Sequence, residues 1–234
     1  MAYNDFNNRM KVVNFLRNYP DIFTARETEH ILAYAGLVGY NEDSEKVLIP
    51  DDVREVYDEV GIIPDDRNIY LGFMNLLFNT HDIKNRNILE VGGGVLPRLG
   101  KRIEASLDKG KMVVYDPRLS HYEKSTSKLK LVKKRFYDDT DIEDTDLIIG
   151  LMPCEAANVI VRTAINHGVD FVLALCEGGP HGDMFDYYED ESEWRAGIMY
   201  EAATGVRDKG MGELKTAYMK EYGSPYPVIY NSRG

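Results

Sequence analysis

The chain has 234 residues, enough for one elaborated domain or for a domain with an appended segment. Apolar residues make up 44% and charged residues 29%, a foldable balance, and the net charge is −11. That acidity disfavours nonspecific contact with phosphate backbones, and two cysteines are too few for a disulfide framework. The opening MAYNDFNNRMK has no apolar signal core, and the longest weakly polar run, Ile31 to Tyr40, is half a membrane span. A cytoplasmic globular protein without a membrane segment is expected.

Up to about residue 80 the hydrophobic period is helical. Phe6, Met10 and Val13 share one face of a first helix. Thr24-Ala25-Arg26-Glu27 forms a capping box that opens a second, carrying Ile31, Leu32 and Ala35. Asp51 and Asp52 sit in the first turn of a third, with Val53, Val56 and Val60 inward. A fourth follows Pro64, its apolar side made by Ile69, Phe73, Leu76 and Leu77. Residues 1–80 are read as a helical cap or accessory segment, and 81–234 as the main domain.

From residue 87 short β-rich runs alternate with helices. The strand candidates are Asn87–Val91, Met112–Tyr115, Leu129–Phe136, Asp146–Met152 and Asp170–Cys176, several of them almost wholly apolar. Helices are expected over Pro97–Lys109 and Glu155–His167, the latter stopping at Gly168. Glu189–Thr204 suits another helix, and Pro227–Tyr230 a closing strand. The alternation implies an α/β fold with a mostly parallel sheet, right-handed crossovers and helices on both faces.

The first strand runs directly into glycines: Glu90-Val91-Gly92-Gly93-Gly94, then Val95-Leu96-Pro97 opening a helix. Glycine allows a tight turn and close backbone approach to a ligand. A dinucleotide fingerprint would need a third glycine at position 97, which is Pro97, so that pattern fails. A second acid, Asp116, ends the next strand. The acid-x-Gly-x-Gly order resembles motif I of the class I S-adenosylmethionine-dependent methyltransferases, over roughly residues 85–176, although position 96 is Leu96 rather than a further glycine. The resemblance implies a Rossmann-like methyltransferase sheet with S-adenosylmethionine as cofactor. It implies that Glu90, Gly92, Gly93 and Gly94 hold the amino-acid part, that Asp116 holds the ribose hydroxyls, and that Asp138 or Asp139 stands near the adenine amino group.

At the end of the fourth strand, Gly150-Leu151-Met152-Pro153-Cys154-Glu155 lacks the Asn/Asp-Pro-Pro-aromatic motif of amino-directed nucleic-acid methyltransferases. Pro153-Cys154, with Glu177 further on, resembles the nucleophile loop of cytosine-C5 methyltransferases, but Glu155 stands where they carry Gln and their arginine-rich motif is missing. Cys154 is read as a small buried residue. Cys154, His167, Cys176 and His181 match no zinc spacing, and no metal is expected. The Glu177–Asp183 loop, with His181, could hold a general base or be a simple turn. Tyr187, Tyr188 and Trp194 could line a pocket or pack the last helix onto the sheet. The run Lys124–Arg135 has six Lys/Arg in twelve residues, read as an exposed strand whose lysines protect a sheet edge.

These features lead to an S-adenosylmethionine-dependent methyltransferase, with a small-molecule acceptor favoured over nucleic acid. Tyr34 and Tyr70 of the helical segment are candidate acceptor contacts. The helix start Gly94-Val95-Leu96-Pro97 is also faintly similar to nicotianamine-synthase-like enzymes, which transfer the aminocarboxypropyl group instead. A non-catalytic methyltransferase-like binding module is the third reading. The catalytic residue, the acceptor and the oligomeric state are not legible here.

Overall fold

The computed structural model describes residues 69–94, 96–119, 123–176, 188, 190–219 and 226–233, together with 13, 14 and 17. The chain divides into two compact units, Met1–Asn68 and Ile69–Gly234. In the first, Val13, Asn14 and Arg17 are helical; the capping box at Thr24, the helices expected around Ile31 and Val56, and Tyr34 lie outside the described residues.

The second unit holds a seven-stranded sheet. Its strands are β1 (Ile88–Val91), β2 (Met112–Tyr115), β3 (Leu129–Val132), β4 (Leu147–Leu151), β5 (Asp170–Ala174), β6 (Glu213–Met219) and β7 (Tyr226–Ser232). Helices α1 (Ile69–Thr80), α2 (Arg98–Glu104), α3 (Ala157–His167) and α4 (Glu191–Asp208) flank it. The spatial order is β3-β2-β1-β4-β5-β7-β6. The first five strands are parallel, and β7 runs antiparallel to both β5 and β6. This is the expected Rossmann-like methyltransferase sheet, mostly parallel and covered on both faces.

Every residue of β1, β4 and β5 is buried, as continuously apolar strands require. The strand period of two divides their side chains between two cores. Leu89, Ile148, Phe171 and Leu173 meet α3 and α4, which contribute Ile160, Val161, Ala164, Trp194, Ile198 and Ala202. Ile88, Leu147, Ile149 and Val172 meet Phe73 and Leu77 of α1 and Leu99 and Ile103 of α2. Phe73 and Leu77 are fully buried, one helical turn apart on the same face. The helix grouped by its sequence with residues 1–80 therefore packs as part of the sheet unit, which begins at Ile69.

Several boundaries differ from the sequence expectation. β3 stops at Val132 because the Lys134 N–H donates to the Val132 carbonyl at 2.9 Å and closes a turn. That turn lets Phe136 pack edge-on to Tyr115, with ring centroids 5.7 Å apart. Helix α3 is preceded by a 3₁₀ turn, Cys154–Ala156, and ends on Gly168 at φ 66°, a left-handed cap. Helix α4 starts at Asp190, whose side chain accepts from the Glu193 N–H at 2.9 Å. Strand β6 is an addition: mostly exposed at the sheet edge, it has no apolar face to betray it.

At the amino edge of the sheet, Asn231 of β7 is fully buried and makes three hydrogen bonds. Its Oδ1 accepts from the Phe171 N–H at 2.8 Å, and its Nδ2 donates to Asp170 Oδ1 at 2.8 Å and to the Met211 carbonyl at 3.1 Å. Asp170 also receives Arg86 at 2.8 Å and Arg233 at 2.7 Å. Burial alone would raise the Asp170 carboxyl, but the bonds from Asn231, Arg86 and Arg233 outweigh it and hold the group below its ordinary 3.8. The clamp fixes the register of the one antiparallel strand on the parallel set. We expect Asn231→Ala to cost about 3 kcal/mol in urea denaturation, because it strands a buried N–H and a carbonyl. A loss below about 1 kcal/mol would show that the β6–β7 hairpin sets the register without it.

Candidate cofactor site

The chain leaves β1 for β2 on one side and returns to β4 on the other, so the crevice beyond the carboxyl ends of β1 and β4 is the topological switch point. The glycine turn lies there. Gly92 and Gly94 have φ of 83° and 75°, values that side chains resist. The Gly92 N–H donates to the Tyr115 carbonyl at 2.9 Å, which ties the turn to the end of β2. A Cβ on Gly92 would stand 3.1 Å from Pro153 Cα, so the exits of β1 and β4 approach as closely as backbones allow. A Cβ on Gly93 would stand 2.3 Å from Val114 Cγ1. Among the described residues the Gly93 N–H makes no hydrogen bond, leaving one donor of the turn open.

Two acids support the turn. Glu90 shares a sheet face with Ile88, and its carboxyl goes beneath α2. Oε2 would lie 2.8 Å from a Cβ on Gly100, and the carboxyl carbon 3.7 Å from one on Gly93. Glu90 is 2% exposed, and Oε2 has no partner of hydrogen-bond geometry. Burial pushes this carboxyl up to about 8; the Gly100 N–H opposes the shift, and the nearby Asp116 charge adds to it. Asp116 is 3% exposed. Its Oδ2 accepts from the Gly94 N–H at 2.9 Å and its Oδ1 from the Arg118 N–H at 2.7 Å. Glu90, Gly92, Gly93, Gly94 and Asp116 thus meet in one place. Asp138 does not join them: its carboxylate is exposed and taken by Arg162 of α3, at 3.2 and 3.3 Å.

Across the crevice, Met152 and Cys154 have φ of 52° and 46° on either side of buried Pro153, a strained exit from β4. Cys154 is half-buried, and its Sγ donates to the Met152 carbonyl at 3.4 Å. Trp194 belongs to the core, with Nε1 donating to Asn158 Oδ1 at 3.1 Å, so it packs the last long helix onto the sheet. Tyr70 receives the guanidiniums of Arg98 and Arg102 over its ring, at 5.8 and 5.5 Å. Glu177, His181 and Tyr187 lie outside the described residues. The sequence singles out Pro153 only as the neighbour of Cys154, and Val114 and Gly100 not at all. Only Gly100 carries a signal there, since a glycine inside a helix usually marks close packing.

The sequence matches no known family profile and no curated protein. Solved structures do match. One is Aeropyrum pernix fibrillarin in complex with natively bound S-adenosyl-L-methionine, with 15% identity, a TM-score of 0.44 and coverage of 70% of this chain and 75% of that one. Another is human N-acetylserotonin methyltransferase in complex with the same cofactor, at 11% identity and TM-score 0.44, covering 96% of this chain and 67% of that one. The antibiotic-resistance methyltransferase Kmr matches at 12% identity and TM-score 0.46, covering 68% of this chain and 91% of that one. With TM-scores this low, the fold assignment rests on the strand order and orientation of this chain. That fold is the Rossmann-like fold of class I methyltransferases.

A carboxyl raised from 4.5 to about 8 leaves its full stabilising balance only below pH 4.5 and loses it as pH climbs to about 8. The lost stability is roughly 5 kcal/mol at one pKa unit per 1.4 kcal/mol. Glu90→Gln should remove this dependence and exceed the parent by a few kcal/mol in urea denaturation at pH 8. Parallel stability curves for the two chains between pH 5 and 8 would refute a neutral, buried Glu90.

Proposed function

We propose that the protein is an S-adenosylmethionine-dependent methyltransferase. The observation that supports it most is the meeting of a left-handed glycine turn with two buried acids at the switch point of this sheet. The cofactor supplies an electrophilic methyl group on a sulfonium, so the chain's task is to bind and align rather than to activate strongly.

In this reading the open Gly93 N–H meets the carboxylate of the cofactor's amino-acid part. Asp116 uses two lone pairs on Gly94 and Arg118, and a carboxylate has more to offer to ribose hydroxyls. Glu90, neutral at pH 7, keeps the turn seated on α2 without adding a second negative charge beside Asp116. Asp138 reaches an adenine amino group only by giving up Arg162, so its share in affinity is small. The crowding of Pro153 against Gly92 puts the exit of β4 next to the cofactor, where an acceptor must be presented.

Calorimetry with S-adenosylmethionine, S-adenosylhomocysteine and NAD tests the reading. Binding of the first two and not of NAD is expected. Asp116→Ala should weaken both by at least tenfold, whereas Asp138→Ala should leave them within threefold of the parent (these two changes are about 1.4 and 0.6 kcal/mol). Binding of NAD alone, or equal affinity in Asp116→Ala, would sink the proposal. Among turnover products, S-adenosylhomocysteine marks methyl transfer and methylthioadenosine marks aminocarboxypropyl transfer.

A further inference from the structure

The net charge of −11 hides a local reversal. Between Arg98 and Arg135 there are twelve Lys/Arg and four Asp/Glu. Much of this surplus is gathered at the outer strand of the sheet. β3 is the terminal strand and, among the described residues, pairs only with β2. Lys130 stands within it, Lys133 and Lys134 form the turn that follows, and Arg135 comes next, all exposed. Ser125 lies against the free edge of β3, its Oγ accepting from the Leu131 N–H at 3.0 Å, and so brings exposed Lys124 alongside.

Simple edge protection needs one or two lysines on the strand itself. Here most of the cations lie beyond the strand, at its carboxyl end. The Asp116 N–H donates to the Val132 carbonyl at 3.3 Å, so the Lys133–Lys134 turn starts beside a residue of the candidate cofactor site. Arg135 reaches Glu155, at 3.9 Å, in the turn that leaves β4. Lys124, Lys130, Lys133 and Lys134 have no carboxylate partner among the described residues. The turn that carries Lys133 and Lys134 is tied by the Lys134–Val132 hydrogen bond and anchored by buried Phe136.

Next to them Tyr137 is 57% exposed. Its backbone is pinned on both sides: its N–H donates to Thr140 Oγ1 at 2.9 Å, and its carbonyl accepts the Thr140 N–H at 3.0 Å. An exposed aromatic ring on a pinned backbone, close in sequence to a group of exposed lysines, offers a stacking platform and a track for phosphates. Exposed acids limit the patch beyond Tyr137, at Asp139, Asp141, Glu143 and Asp144, Asp138 being paired with Arg162.

We infer that the carboxyl end of β3 binds a single-stranded nucleic acid, its phosphates along Lys124, Lys130, Lys133 and Lys134 and a base on Tyr137, and that this strand is the methyl acceptor. The acceptor role rests on the proposed function; the binding does not, and needs no cofactor. Repulsion from the remaining acids is screened beyond about 8 Å at physiological salt, whereas contacts at the patch act within that distance.

Fluorescence anisotropy with labelled 12-nucleotide oligo(U), oligo(dT) and a 12-base-pair duplex tests the binding on the full chain. We expect the single strands to bind, with affinity falling roughly 50-fold between 50 and 200 mM salt for four phosphate contacts. The triple variant Lys130→Gln, Lys133→Gln, Lys134→Gln should lose at least tenfold in affinity and flatten the salt slope by about 2. Tyr137→Ala should lose about tenfold with the slope unchanged. Both variants alter exposed groups, so thermal melting and S-adenosylmethionine calorimetry should match the parent. Preference for one of the two single strands would support the inference and add a sugar contact. Preference for the duplex, no binding at 50 mM salt, or parental affinity in the triple variant would overturn it. If the strand binds but the chain does not take up S-adenosylmethionine, the binding inference stands and the proposed function falls.

Discussion

At the carboxyl end of β1 there is no room for a Cβ. Gly92 is pressed on Pro153, Gly93 on Val114, and Gly100 on both Val114 and Glu90. This crowding joins three parts of the sheet unit: the exit of β1 with the first turn of α2, Val114 of β2, and the exit of β4. Repulsion at such distances rises steeply, so the three move as one body or not at all. The glycines thus serve the protein's own packing first, and their usefulness to a ligand follows. A backbone already forced to approach its neighbours without side chains presents its N–H groups at a fixed place and angle.

The two edges of the sheet use charge differently. At the amino edge Asp170 is surrounded by donors, and its ionised form is stabilised. At the carboxyl edge Glu90 has burial without adequate donors, and its neutral form is stabilised. Burial raises both carboxyls, and more so at the deeper Glu90; at Asp170 the bonds from Asn231, Arg86 and Arg233 reverse the sign. One arrangement locks a strand in register. The other tolerates a buried acid so that Asp116, next to it, keeps its own hydrogen bonds undisturbed.

Much of this was legible before any coordinates. The alternation of short apolar runs with helices gave the parallel sheet, since β1, β4 and β5 are buried on both faces and carry little polar content. Glu90, the three glycines and Asp116 converge because strand ends and the turn after β1 have predictable places in such a sheet. Asp138 was placed by resemblance alone, and sequence could not show that Arg162, 24 residues further on, claims it. β6 escaped because an exposed edge strand has no apolar alternation to read. The strained φ values at Met152 and Cys154 left no trace either, since neither residue type advertises a left-handed backbone. The total charge was read correctly yet described no actual surface, because folding sorts charges that composition averages.

The position of β7 bears on how this sheet is completed. It follows the other six strands of the sheet in sequence, yet it lies between β5 and β6 rather than at a margin. While the polypeptide emerges from the ribosome, β5, apolar beyond Asp170, therefore shows an unpaired edge until the segment around Asn231 arrives. β6, made earlier, pairs with β7 alone among the described residues. An open edge of that kind is the form of nascent chain most exposed to mispairing with other chains. The demand falls on Asn231, whose bonds to Asp170 and to the Phe171 N–H hold β7 against β5 and cover that edge.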